Sequence, residues 1–305
     1  MPEQNSRIPE NAAEHGIMFR DKIQLLASKI DAFRTGGKED DLHDARVSSR
    51  KLETLLKSFG CLSPDEYYKI YLANIKGFIK LFGDARELDV CAELTNEYIK
   101  IIKIKSPFTV RFMETLKLEI ASKRQRIMKS PLLPEFISGA DKMIEYFFQS
   151  NSMMTGRASL NLKSQFRLIL LKQYDRITDY TSRLIAGNSS RELLHSVRIK
   201  SKPLRYNMEF AAEYCGMGIR SQHALIKEFV ERAGKIHDVD VMIQKLIKFS
   251  KKISGTHIPD SARSLKSFLS YLNEMRKSEY NKLIDVIKKI EPARFREKFI
   301  TEMQK

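Results

Sequence analysis

Tryptophan is absent from the 305-residue chain, and glycine (13), proline (9) and cysteine (3) are sparse. The cysteines, Cys61, Cys91 and Cys215, are odd in number and form no CxxC pair, which argues against a disulfide framework or a paired-cysteine zinc site and fits a reducing compartment. No apolar run approaches the roughly 18 to 20 residues of a membrane span, and the opening MPEQNSRIPENAAEHG has no apolar signal core. The expectation is a cytoplasmic protein. Walker, HExxH and GxSxG motifs are also missing, so no familiar nucleotide or hydrolase signature is present. Acids are short relative to bases, with 38 Asp and Glu against 54 Lys and Arg, for a net charge of +16. Such an imbalance predicts a polyanionic partner or an anionic surface. The first 16 residues are net acidic (Glu3, Arg7, Glu10, Glu14), so the positive charge belongs to the folded body.

Between the sparse breakers, apolar residues recur at spacings of three and four, as in Ile23, Leu26, Ile30 and Phe33 or Leu265, Phe268, Leu272 and Met275. No segment alternates in the manner of a strand. The pattern predicts an all-α protein, with helices over 10–35, 40–60, 64–82, 86–104, 107–129, 134–150, 158–186, 190–215, 220–235, 238–253 and 260–302. The last is expected to bend at Pro292.

The chain repeats itself. LHDARVSSRKL at 42–52 returns as LHSVRIKSKPL at 194–204. Leu42, His43, Arg46, Ser49 and Leu52 recur as Leu194, His195, Arg198, Ser201 and Leu204. Downstream, Lys76, Gly83, Asp89 and Val90 match Lys227, Gly234, Asp240 and Val241. A duplicated helical unit follows, with halves 10–150 and 158–303 behind a flexible arm at 1–9. Two such units usually pack about a pseudo-twofold axis, which would bring the two histidine helices together.

On a helical wheel His43, Arg46, Arg50 and Lys57 fall within about 60° of one another, with Leu52, Leu55, Leu56 and Phe59 opposite. In the second copy His195, Arg198, Lys202, Arg205 and Tyr206 share a face. A cationic stripe is commonly just a solvated surface. Here, however, acids are mostly missing at the compensating spacing until Glu53 and Glu209, and the stripe occurs twice. Two facing stripes would repel unless an anion lay between them, which suggests a groove or channel for a polyanion. Arginine suits phosphate through its planar fork, and lysine adds a mobile charge. The histidines have three readings: a neutral donor to phosphate, a packing residue, or a metal ligand or catalyst. Their cationic neighbours favour the neutral form. His237, Asp238 and Asp240 lie close enough in sequence for a metal site, but a helix-start cap at Asp238 and an arginine partner for Asp240 explain them as well.

H-x-x-R-V-x-x-R-K-L, which includes Lys51, and H-x-x-R-I-x-x-K-x-L-R-Y-x-x-E, each followed by a G-x-x-x-acid-x-D-V corner, resemble the CHAD domain, the conserved histidine alpha-helical domain. The resemblance spans about residues 10 to 300. It implies two pseudo-symmetric helical bundles around a basic central pore, and binding of inorganic polyphosphate, often at polyphosphate granules. The residues it implicates are His43, Arg46, Arg50, Lys51, Lys57, Lys76, His195, Arg198, Lys202, Arg205, Tyr206 and Lys227. The sequence departs from the family pattern at Glu53, where the second copy has Arg205; at Pro203, commonly another cation; and at His237, where the first copy has Arg86. The ExExK signature of the triphosphate tunnel domains sometimes fused to such proteins is missing, so a stand-alone, non-catalytic module without metal or cofactor is expected. Nucleic-acid binding is the first alternative, although the 11 tyrosines and 17 phenylalanines seated mostly on apolar faces leave few platforms for bases. A metal-dependent phosphohydrolase or phosphotransfer enzyme using the histidines is the second.

Overall fold

A computed structural model of the chain describes residues 10–59, 65–152, 161–187, 190–254, 260–290 and 292–304. The arm expected at 1–9 and Cys61 lie outside the described residues. The described residues form ten helices and no strand: α1 (Glu10–Gly36), α2 (Glu39–Phe59), α3 (Glu66–Ile102), α4 (Pro107–Met128), α5 (Leu132–Ser152), α6 (Leu162–Ile185), α7 (Arg191–Cys215), α8 (Arg220–Lys252), α9 (Ser261–Lys289) and α10 (Pro292–Gln304). Local chemistry sets several of the boundaries. Asp65, Ser106, Asn161 and Ser190 cap α3, α4, α6 and α7 by accepting a backbone N–H three residues on. Gly216 ends α7 at φ +63°, a left-handed conformation that costs glycine nothing extra.

Two expected breaks do not occur. The helices predicted at 64–82 and 86–104 are one helix, α3, and those at 220–235 and 238–253 are one helix, α8. A lone glycine costs a helix interior about 1 kcal/mol, too little to end one whose buried stripe continues on both sides. In α3 that stripe runs through Phe78, Phe82, Ala85, Leu88 and Cys91; in α8 it runs through Phe229, Ala233, Ile236, Val239 and Ile243. The supposed corners at Gly83 and Gly234 are therefore mid-helix positions. Conversely, the segment 260–302 does not merely bend: α9 ends at Lys289 and α10 starts at Pro292, the first-turn position where proline sacrifices no hydrogen bond. At Pro203 the helix α7 runs on without a break.

The buried apolar residues form two cores. The larger takes side chains from α1, α2, α5, α6, α7 and α10 together with the N-terminal parts of α3 and α8, the C-terminal part of α9 (Leu283, Val286, Ile287) and Ile127 of α4. The smaller joins the C-terminal parts of α3 and α8 to α4 and α9. Each core recruits helices from both repeats. In the smaller one Tyr98 stacks on Phe268 at 4.0 Å, and Phe108 and Phe112 both meet Phe249. Between the repeats α1 packs on α6, α2 on α7, α3 on α8 and α4 on α9, so these four pairs join helices at matching positions of the two halves. The changeover from one core to the other falls between Ala85 and Leu88 on α3 and between Ile236 and Val239 on α8.

The repeated aspartates stand at that changeover. Asp89 (2% exposed) accepts from Arg124 on α4 at 3.0 Å. Asp240 (7% exposed) accepts from Arg276 on α9 at 2.8 Å and lies 3.3 Å from Arg191 at the start of α7. Each pair ties a long helix to the helix that follows it. Asp89→Ala, which leaves Arg124 with the more distant Glu39 carboxylate at 3.9 Å, is expected to lower the unfolding free energy by about 1 to 3 kcal/mol. A urea unfolding series measures this, and adding Arg124→Met to Asp89→Ala should recover part of the loss.

Candidate functional site

The two histidine helices, α2 and α7, pack against each other. Lys51 Nζ reaches Glu209 at 2.7 Å, and Asn207 Nδ2 donates to Ser58 Oγ at 2.9 Å. The repeated serines are wholly buried in this contact region, with Ser49 Oγ donating to the Ala45 carbonyl and Ser201 Oγ to that of Arg198. A larger residue there would push the helices apart.

Above this contact, α3 and α8 enclose a cavity of about 470 Å³. Helix α2 contributes His43, Arg46 and Arg50, and α7 contributes Arg198 and Lys202. Helix α3 adds Lys76, Lys80, Gly83 and Arg86, and α8 adds Gly234, His237 and Asp238. Carboxylates are the minority in the lining, represented by Asp84, Glu87 and Asp238. Two of these have partners already, Asp84 in Lys123 at 3.1 Å and Glu87 in Lys245 at 3.5 Å. A Cβ built on Gly83 or on Gly234 would meet nothing within 4 Å. The repeated glycines thus keep both long helices bare where they face the opening.

The electrostatics are those of crowded, largely buried cations. The Nε groups of Arg46, Arg50 and Arg198 are buried and have no hydrogen-bond partner among the described residues. Burial, then the charges of Arg50 and Arg198, brings the Arg46 pKa down to about 10. Burial, then Arg198, Arg50 and Arg46, brings Lys202 down to about 6. His237 falls to about 4 through burial and then Arg198, His195, Lys202 and Arg46, and His43 is lowered by partial burial and then by Arg86 and Arg46. Both histidines are therefore neutral near pH 7. Asp238 is raised by burial, although Arg198, Lys202, Arg46 and Arg86 pull it down. It sits within α8 and caps no helix start. Asp240 turns to Arg191 and Arg276, so His237, Asp238 and Asp240 do not converge, and the described residues hold no metal-ligating cluster of three.

The twelve residues implicated from sequence divide in two. His43, Arg46, Arg50, Lys76, Arg198 and Lys202 line the cavity. The other six do not. Lys51 and Arg205 both bind Glu209, at 2.7 and 3.1 Å, and Arg205 also lies 3.8 Å from Glu231. Burial alone would raise Glu209, but His223 at 3.5 Å and the bond from Lys51 take it down to about 2. Lys57 is held by Glu53 at 2.6 Å and borders a separate cavity with Lys172 and Arg176. Tyr206 is buried. Lys227 is exposed on α8. His195 packs its ring 5.4 Å from that of His237. The sequence reading missed Lys80, Gly83, Arg86, Gly234, His237 and Asp238 as lining residues. An unbroken wheel over α3 places Lys80 one turn beyond Lys76 and Gly83 three residues further on; the break expected at Gly83 hid that face.

The profile of the CHAD domain matches residues 18–247. Among solved structures, the CHAD domain from the plant Ricinus communis aligns with a TM-score of 0.71 at 17% identity, covering 91% of each chain. PptA from Streptomyces chartreusis aligns with a TM-score of 0.66 at 12% identity over 90% of this chain and 98% of that one. At such identities these likenesses show the fold. The curated proteins contain no match. With the profile spanning most of the sequence and both histidine helices lying inside it, the chain belongs to the CHAD domain family.

Proposed function

We propose that the chain binds inorganic polyphosphate in the cavity between α2, α3, α7 and α8, without chemistry on the ligand. The observation that carries this reading is the set of three buried arginine Nε donors, from two helices, that have no partner around an opening lined also by Lys202. A buried charge without a partner costs several kcal/mol. A flexible chain with about one negative charge per phosphate would supply acceptors to all of these donors at once. Family membership supports the reading, and association with polyphosphate granules would follow from it. Nucleic acid fits less well, because no Tyr or Phe is among the residues lining the cavity, leaving no ring on which a base would stack. Binding without hydrolysis is part of the proposal, and release of phosphate from polyphosphate with added divalent metal would overturn that part.

Arg46→Ala with Arg198→Ala is expected to weaken polyphosphate binding by at least about tenfold, and to reduce the slope of log affinity against log salt by about one unit per lost contact. Titration at two salt concentrations, with DNA of matched charge as competitor, measures both. Unchanged affinity would place the ligand elsewhere, and equal competition by DNA would leave a general polyanion site.

Binding should also take up a proton. Lys202 stands at about 6 when the cavity is empty, and phosphate beside it raises that value. Between the free and bound values the complex holds the extra proton, so affinity falls as pH rises from about 6 towards roughly 8. Calorimetry in buffers of differing ionisation enthalpy reads the uptake, which Lys202→Met should abolish.

The same lysine is a burden to the empty protein. Its folded pKa of about 6 lies below the ordinary 10.5, so across that window the unfolded chain holds the extra proton and stability rises with pH. Lys202→Met is expected to remove this slope and to stabilise the ligand-free protein at pH 7 by on the order of 1 to 4 kcal/mol, while weakening polyphosphate binding. Thermal unfolding across pH 6 to 9, roughly the range of the shift, provides the check.

A further inference from the structure

A second basic cavity, of about 460 Å³, lies at the other end of α8. Gln222 on α8 and His237 in the first cavity are fifteen residues apart, about 22 Å along the helix. Lys288 and Lys289 at the end of α9 and Lys298 on α10 line it, with Ser221 and Gln222 from the first turn of α8 and with Leu225 and Phe295 as an apolar wall. None of these residues carries a carboxylate, and none of the three lysines has an ion pair among the described residues.

Three independent features point to an anion. The first is the start of α8. Its cap residue Ile219 makes no side-chain bond, and no acid stands in the first turn. The first intrahelical bond runs from the His223 N–H to the Ile219 carbonyl at 2.9 Å, so the amides of Arg220, Ser221 and Gln222 precede the ladder at the positive end of a 33-residue helix. The second is Gln222 itself. It is 2% exposed, its Oε1 accepts from Ser221 Oγ at 2.9 Å, and its Nε2 is buried with no acceptor among the described residues. A buried donor without a partner costs about 1 to 3 kcal/mol. The third is the lysine trio. Lys288 and Lys289 compensate the last carbonyls of α9, but that does not account for Lys298 on another helix or for the amide of Gln222.

We propose that this cavity is a second anion site, separate from the one between α2 and α7, and that it takes the triphosphate group of a small phosphorylated anion. A single phosphate would leave most of 460 Å³ open. Three mobile ammonium groups, helix-start amides and a fixed amide donor suit several phosphate oxygens arrayed in a row. Inorganic triphosphate and a nucleoside triphosphate share that chemistry.

The test uses the full chain in four forms: unmodified, Arg46→Ala with Arg198→Ala, Lys288→Ala with Lys289→Ala and Lys298→Ala, and all five changes together. Each is titrated calorimetrically with inorganic triphosphate and, separately, with ATP. The proposal expects the lysine changes to remove one binding event, or weaken it at least about tenfold, in both the unmodified and the Arg46→Ala/Arg198→Ala chains. Tighter binding of ATP would assign Leu225 and Phe295 to the base, and tighter binding of inorganic triphosphate would assign the whole cavity to phosphate; either outcome supports the site. Binding of both compounds unaffected by the lysine changes overturns it, as does failure of both to bind the Arg46→Ala/Arg198→Ala chain. Gln222→Leu adds a readout that a purely structural role would not give. It should weaken triphosphate binding without lowering the unfolding midpoint, because the amide donor it removes has no partner among the described residues and the exposed Ser221 hydroxyl, which loses Oε1 as acceptor, can turn to water. The exposed lysines carry the test alone should Gln222→Leu not fold.

Discussion

Arg46, Arg50, Arg198 and Lys202 are held together, largely out of water, across the contact of α2 with α7. In the absence of an anion the three arginine charges repel one another and disfavour a charge on Lys202, and burial removes the solvent that would otherwise screen them. Everything around them can be read as what allows that placement. Glu209 gathers Lys51, Arg205 and His223 just below the cavity, so that part of the cationic stripe is neutralised and pins the two helices together. Asn207 and Ser58 add an uncharged link. The remaining repulsion is concentrated around the cavity.

The long helices α3 and α8 supply the rest of the support. Each crosses from the larger core into the smaller and is clamped there by a buried aspartate to the following helix. The cavity opens beside that crossing, where the buried stripe of each helix is turned towards the cores and the opposite face is bare at Gly83 or Gly234. Packing on both sides holds the cations in place despite their mutual repulsion.

Much of this was legible in the sequence. Apolar spacing and the scarcity of breakers gave the helical class, and the two copies of the histidine helix led to Arg46, Arg50, Arg198 and Lys202. Two kinds of information were not available from one chain read linearly. One was the balance between a glycine's local cost and the tertiary burial on either side of it, which decides that α3 and α8 run through Gly83 and Gly234 and so bring Lys80, Arg86, His237 and Asp238 to the site. The other was long-range pairing. Nothing near Lys51 or Arg205 in the sequence shows that a shared carboxylate, Glu209, takes both of them, and a helical wheel ranks Lys57 with Arg46 without showing that Glu53 ties it down beside a different cavity.

The distribution of the cores bears on how such a chain came to exist. In the smaller core the aromatic contacts run from one repeat to the other, with Tyr98 on Phe268 and Phe108 and Phe112 on Phe249, and the larger core draws on both repeats as well. A single repeat would carry half of each core with its apolar face open to water. A chain of one repeat would therefore need a second copy to cover those faces, and the cavity between α2, α3, α7 and α8 would in that case be bounded by two subunits.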